Sequence, residues 1–176
     1  MAIFELINLR KLRKAILHLI CIVAALWLQT MVLSRVALLG AKPFFLPALI
    51  VAIGLFEGGV WGGMLGLAAG IGCTLSMSGS PVLFLVLLPV FGFLSGLLAD
   101  YFINRRFVSC LLLAALALLL TALLQALPHW IFRGAEPHTL FTVAALQAAW
   151  SLPFAIPAYY AAKALAGHER DRTQGQ

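Results

Sequence analysis

Four charged side chains stand at the edges of long apolar segments. Glu57 separates two such segments, and Asp100 ends another, shortly before Arg105 and Arg106. Charged groups in or near membrane-spanning segments cost free energy and are often functional. Since the predicted topology brings all four to one membrane surface, they form a candidate docking patch for a partner protein. The simpler alternative is that an arginine neutralises each acid at the level of the lipid headgroups.

The remaining polar residues lack the patterns typical of catalysis or metal binding. His129 and His138 are nine residues apart in one predicted loop with Glu136, which is not the spacing of a metal site. His18 lies one turn inside an apolar run. We interpret it as a residue near a helix end whose ring atoms have hydrogen-bond partners. A Gly/Ser turn carries three serines with no base near them in sequence, at Ser76, Ser78 and Ser80. We therefore expect no enzymatic activity, no cofactor and no metal.

The composition excludes most classes of soluble protein. Of the 176 residues, 63% are hydrophobic and 10% are charged, and the mean hydropathy is +1.04. Soluble domains are about 45–50% apolar and about 25% charged, so this chain has too little polar surface to cover a water-facing globule. The net charge of +6 is divided among short clusters between apolar runs. That pattern is typical of a membrane protein and not of a nucleic-acid-binding surface.

Apolar runs of membrane-spanning length predict the helices. A helix needs about 20 apolar residues to cross a hydrocarbon core of about 30 Å. Four runs have that character, at residues 15–33, 81–99, 107–127 and 140–162. Residues 43–75 are too long for one span and are interrupted by Glu57, Gly58 and Gly59. We therefore predict one span that ends at Phe56 and another that begins near Gly58.

The charge distribution favours six spans over five, because cytoplasmic loops carry an excess of Lys and Arg. With six spans, nine of the 12 Lys and Arg residues lie on the side of both termini; with 43–75 as one span, five lie inside and seven outside. The second span has 14 residues, 43–56, unless its helix starts at Val36 with the Lys42 side chain extending to the headgroups.

We expect an all-α, six-helix membrane bundle with both termini cytoplasmic: a basic segment (1–14), a transmembrane domain (15–163) and a polar tail (164–176).

Glycines recur at every fourth position of the third predicted span. They share one helical face, at Gly58, Gly62, Gly66 and Gly70, and the fourth span repeats the spacing at Gly92 and Gly96. Lipid provides no hydrophobic drive for helix association, so small residues that let backbones approach closely promote packing instead. We predict that this face packs against another helix of the bundle. A groove for a partner's helix is a compatible alternative.

Two prolines interrupt the last predicted span. Pro153 and Pro157 each remove a backbone donor, so we expect a kink in this helix. Carbonyl groups freed within a membrane must be satisfied by neighbouring helices or water. The prolines therefore indicate a section that is buried or lined by a partner.

Several segments together resemble a known bacterial family. They are LPALIVAIGLFEGGVWGGMLGLAAGIG, FGFLSGLLADYFINRRF, LLLAALALLLTALL and AWSLPFAIPAYY. These runs are similar to those of the rod shape-determining membrane protein MreD, over roughly residues 15–165. Gly66 and Gly70 match the glycines of that family's third helix, and Gly92 and Gly96 with the following acid match its fourth.

The resemblance implies a non-catalytic component of the cell-elongation (rod) complex in the bacterial plasma membrane. Such a protein helps position lateral peptidoglycan synthesis and maintain cell shape, beside MreC, MreB, RodA and a class B penicillin-binding transpeptidase. Membrane lipid is then its other partner, and neither nucleic acid nor a small-molecule substrate is expected.

Two other functions remain open. One is the substrate-binding subunit of an energy-coupling-factor vitamin transporter, a six-helix fold that MreD is thought to resemble. Its candidate polar residues are Gln29, Thr30, Ser78, Ser80, His129 and His138. The other is a proton-coupled exporter that uses Glu57.

Overall fold

The computed structural model describes residues 2–35, 43–76, 81–101, 107–133 and 137–173. Within them the chain is helical throughout, apart from a turn at Val32, the segment Pro43 to Phe45, and Gly58. The α-helices are α1 (Ala2–Met31), α2 (Leu46–Glu57), α3 (Gly59–Ser76), α4 (Pro81–Tyr101), α5 (Phe107–Arg133), α6 (Pro137–Ser151) and α7 (Ala155–Thr173). Short 3-10 helices follow α1 at Leu33–Arg35 and join α6 to α7 at Leu152–Phe154.

In the part of the chain that the structure describes, five helical segments are long and apolar enough to cross a membrane, which is the pattern of a multi-pass membrane protein. They are Leu12–Met31, Gly59–Ser76, Val82–Tyr101, Phe107–Leu127 and Phe141–Ala166. The other predicted span corresponds to α2, whose 12 residues extend only about 18 Å. The number of crossings and the cytoplasmic location of the termini therefore stay predictions.

The second predicted span is shorter than either sequence alternative. The segment from Pro43 to Phe45 is not helical, and α2 begins at Leu46. A continuous helix from Val36 is therefore wrong. Pro47 lies in the first turn of α2, where its missing N–H would have no intrahelical partner, so the proline favours a helix start at this point.

Helix α2 forms the centre of the bundle. Every residue from Leu46 to Leu55 is buried, and α2 contacts α1, α3, α4, α5 and α7. A helix that is apolar on all sides can be enclosed in this way without burying unpaired polar side chains. The Glu57 carboxylate at its end is the exception.

Helix α1 has two different faces. Its outward face carries large exposed apolar side chains at Leu12, Ile16, Ile20, Val23 and Trp27. Its inward face carries the buried residues His18, Ile22, Ala25 and Gln29. The apolar face is suited to lipid contact, whereas His18 and Gln29 point into the protein.

The last predicted span is divided in two. Helix α6 ends at Ser151, the 3-10 segment Leu152–Phe154 follows, and α7 begins at Ala155. Pro153 lies within the 3-10 segment, and Pro157 lies in the first turn of α7. At that position a proline removes no intrahelical hydrogen bond, so Pro157 is compatible with the start of α7.

Candidate functional site

Gly58 creates the junction between α2 and α3. Its backbone has φ 90° and ψ 169°, a conformation that is accessible essentially only to glycine. Its N–H donates to the Gly54 carbonyl, and its carbonyl accepts from the Gly62 N–H, each at 2.9 Å. The chain therefore changes direction at one residue, and Glu57 becomes the last residue of α2.

The Glu57 carboxylate points towards α1 instead of the surface. Its Oε2 atom lies 2.5 Å from the Lys14 Nζ atom, and the Glu57 side chain is only 4% exposed. A buried carboxylate is costly without a compensating charge. Lys14, whose side chain is 24% exposed, supplies that charge and joins α1 to the α2–α3 junction.

His18 completes the cluster one helical turn further along α1. Its Nδ1 atom lies 2.9 Å from the Lys14 carbonyl oxygen. Its Nε2 atom lies 3.5 Å from Glu57 Oε1, and the His18 side chain is 2% exposed. Lys14, His18 and Glu57 therefore form one buried polar cluster, which we call the α1–α2 charge cluster.

Of the four residues in the candidate docking patch, the structure describes Glu57 and Asp100. Among the described residues, the Glu57 carboxylate contacts Lys14 of α1, which is a lysine and not an arginine. Asp100 is exposed near the end of α4, and a Cβ built on Gly58 would lie 3.5 Å from its Oδ2 atom. Arg105 and Arg106 lie outside the described residues. A docking role for this surface therefore stays a hypothesis that does not include an accessible Glu57 carboxylate.

Gly62, Gly66 and Gly70 of the predicted glycine face lie against α4, whereas Gly58 is the non-helical residue before α3 and does not belong to that face. A Cβ on Gly66 would come within 3.0 Å of the Leu88 carbonyl oxygen, and one on Gly70 would do the same at Phe84. A Cβ on Gly96 would overlap the backbone of Gly58 and Gly59. Backbone atoms, not flexible side chains, occupy these positions, so each glycine permits a direct approach of two main chains.

Three helices meet at one point of this glycine seam. A Cβ on Gly62 would come within 3.0 Å of both the Gly92 carbonyl oxygen on α4 and the Gly54 Cα atom on α2. A Cβ on Gly54 would in turn overlap Gly92. Gly54 was not singled out in the sequence, although it precedes Gly58 by the same four-residue spacing.

Side chains from two helices satisfy the non-helical backbone before α2. Gln29 of α1 donates through Nε2 to the Pro43 carbonyl at 2.7 Å and accepts through Oε1 from the Phe45 N–H at 3.3 Å. Ser151 of α6 accepts from the Phe44 N–H at 2.8 Å and donates to the Gln147 carbonyl at 2.8 Å. Buried backbone that is not helical requires such partners. The sequence does not reveal this role for Gln29 or Ser151, since their partners are distant along the chain.

The described candidates for a vitamin site are either bonded within the chain or exposed. Gln29 is buried and bonded to the backbone before α2, and the Thr30 hydroxyl donates to the Leu26 carbonyl of its own helix. His138 is exposed at the start of α6. Ser78 and Ser80 lie outside the described residues, and the structure does not describe the side chain of His129.

No protein family, curated protein or solved structure matches this chain. The fold and the α1–α2 charge cluster are therefore interpreted from their own geometry, as those of an all-helical, multi-pass membrane protein.

Proposed function

We propose that this protein is a non-catalytic scaffold of the cell-elongation complex in the bacterial plasma membrane, as its resemblance to MreD implies. Its partners are then MreC, MreB, RodA and a class B penicillin-binding transpeptidase. Its role is to help position lateral peptidoglycan synthesis.

The proposal rests on one observation, which is how the buried polar side chains are hydrogen-bonded. His18, Gln29, Ser95, Thr121 and Ser151 each make a hydrogen bond to a backbone carbonyl of the same chain. Gln29 and Ser151 also join their helices to the backbone before α2, whereas the bonds of the other three lie within their own helices. A ligand-carrying subunit instead requires polar groups that converge on a cavity.

The outer surface supports the same proposal. Large apolar side chains are exposed on several helices, for example Trp27 on α1, Val82 on α4 and Leu116 on α5. Such surfaces suit lipid or the transmembrane helices of partners. A scaffold of this kind binds its partners through the exposed faces of its helices. Packing of these faces against a partner's transmembrane helices requires only complementary shape.

Crosslinking within living cells tests the proposal directly. A photoreactive amino acid at Trp27, Val82 or Leu116 is expected to capture a transmembrane partner from the cell-elongation complex. The matched control places the same photoreactive amino acid at Ile50, which is 0% exposed. It is expected to capture no partner. If all three exposed positions yield only lipid adducts, the scaffold proposal is wrong.

Depletion provides the second test. We expect rod-shaped host cells to become round when the protein is depleted, because lateral wall synthesis loses its positioning. Cells that keep their shape but require an external vitamin would identify the transporter subunit instead. A vitamin that copurifies with the protein would lead to the same conclusion.

A further inference from the structure

Two buried polar atoms face each other within the α1–α2 charge cluster. They are His18 Nε2 and Glu57 Oε1, 3.5 Å apart, and neither has a hydrogen-bond partner among the described residues. Their side chains are 2% and 4% exposed. Buried polar atoms are almost always paired, so this juxtaposition requires an explanation.

The hydrogen bond on the other side of the imidazole determines which ring nitrogen is protonated. A backbone carbonyl can only accept, so the contact between His18 Nδ1 and the Lys14 oxygen at 2.9 Å requires a proton on Nδ1. In a neutral imidazole, Nε2 is then an unprotonated acceptor. It would face an ionised carboxylate oxygen, and two buried acceptors at this separation repel each other.

We propose that the α1–α2 charge cluster is a binding site for one additional proton, held between His18 Nε2 and Glu57 Oε1. The bound form is an imidazolium beside a carboxylate whose other oxygen contacts the Lys14 ammonium group. Nε2–H then donates to Oε1, and both unpaired atoms gain a partner.

The surrounding charges are compatible with a protonated His18. Asp100 on α4 lies beside Gly58 and adds negative charge at the same junction. On α7, Lys163 lies 6.0 Å from the centroid of the Tyr159 ring, which packs against Phe56. Among the described residues, other titratable or charged groups on these helices include Arg13 and Cys21 on α1, Asp100 on α4, and Tyr159 and Lys163 on α7.

The proton attaches α1 to the rest of the bundle. When it is bound, α1 contacts Glu57 through two positive groups, Lys14 and His18. When it is lost, one of those attractions becomes a repulsion between buried acceptors. Loss of the proton is therefore expected to weaken the attachment of α1 to the α2–α3 junction.

Nitrogen-15 NMR of the histidine-labelled full chain in lipid nanodiscs measures the proton directly. From about pH 5 to about pH 9, we expect the His18 ring to show two protonated nitrogens at the acidic end and one bare nitrogen at the alkaline end. In Glu57→Gln, the amide can donate to a bare Nε2, so the share of doubly protonated His18 rings should fall relative to the wild type. A His18 ring with one bare nitrogen over the whole range would overturn the proposal.

Thermal unfolding against pH provides a second measurement. We expect the wild-type unfolding midpoint to fall as the pH rises, and Glu57→Gln to lose most of that dependence. His138→Gln removes an exposed histidine on α6 and serves as the matched control, with its pH dependence unchanged. Equal pH dependence in the wild type and Glu57→Gln would contradict the proposal, even if the variant is less stable overall.

Discussion

Replacing Gly62 with alanine places a methyl group at the point where α2, α3 and α4 meet. That methyl would lie within 3.0 Å of the Gly92 carbonyl oxygen and of the Gly54 Cα atom. Both obstacles are backbone atoms, so no side-chain rotation removes the overlap. The helices must separate by about 1 Å to restore ordinary contact.

The expected loss follows from that displacement. A gap of about 0.5–1 Å removes a quarter to a half of the dispersion attraction of each affected contact, and overpacking in well-packed cores costs about 1–3 kcal/mol. Because two backbones obstruct the methyl, we expect Gly62→Ala to cost about 3 kcal/mol. This corresponds to about a 150-fold change in the folding equilibrium.

Gly63→Ala is the matched control on the same helix. Its methyl would lie 3.5 Å from the Phe93 Cβ atom, which is an ordinary van der Waals contact. Alanine is also the better helix former by about 1 kcal/mol in water. We expect this variant to be as stable as the wild type or slightly more stable.

Reversible unfolding in mixed micelles, followed by circular dichroism, compares the two variants. We expect the Gly62→Ala midpoint to shift to clearly lower denaturant, with reduced accumulation in membranes, whereas the Gly63→Ala midpoint does not fall. If both variants unfold at the same midpoint, close approach at the seam does not stabilise the bundle and the reasoning is refuted.

Three further substitutions affect the connections of α2. Gln29→Leu leaves the Phe45 N–H and the Pro43 carbonyl buried without these partners. Each lost hydrogen bond is expected to lower the free energy of unfolding by about 1–3 kcal/mol. Ser151→Ala removes the acceptor of the Phe44 N–H and should cost about 1–3 kcal/mol. Gly58→Ala forces a side chain into φ 90°, with about 1–3 kcal/mol of strain. The same micelle assay measures all three free energies of unfolding.

Conservative changes elsewhere control for these variants. Thr142→Val removes an exposed hydroxyl that donates only within α6, to the His138 carbonyl. It is expected to change the free energy of unfolding by less than about 0.5 kcal/mol. A Gln29→Leu or Ser151→Ala variant as stable as Thr142→Val would show that the backbone before α2 does not need these side chains. Gly63→Ala serves the same purpose for Gly58→Ala.

Local composition was sufficient to predict the helical class and much of the segmentation. Long apolar runs require helices, because helices satisfy their own backbone groups where water is absent. The interruption at Glu57, Gly58 and Gly59 predicted separate second and third helices, and α2 ends at Glu57 while α3 begins at Gly59. These features depend on neighbouring residues, so they can be read along the chain.

The partners of the polar side chains depended on tertiary structure. The pairing of Glu57 with Lys14 joins residues 43 positions apart, and the Phe44 to Ser151 hydrogen bond spans 107 positions. The central position of α2 is likewise decided by packing, since its apolar sequence would suit lipid equally well. Residue types determine which groups need partners, but only the arrangement of the helices brings particular partners within hydrogen-bonding distance.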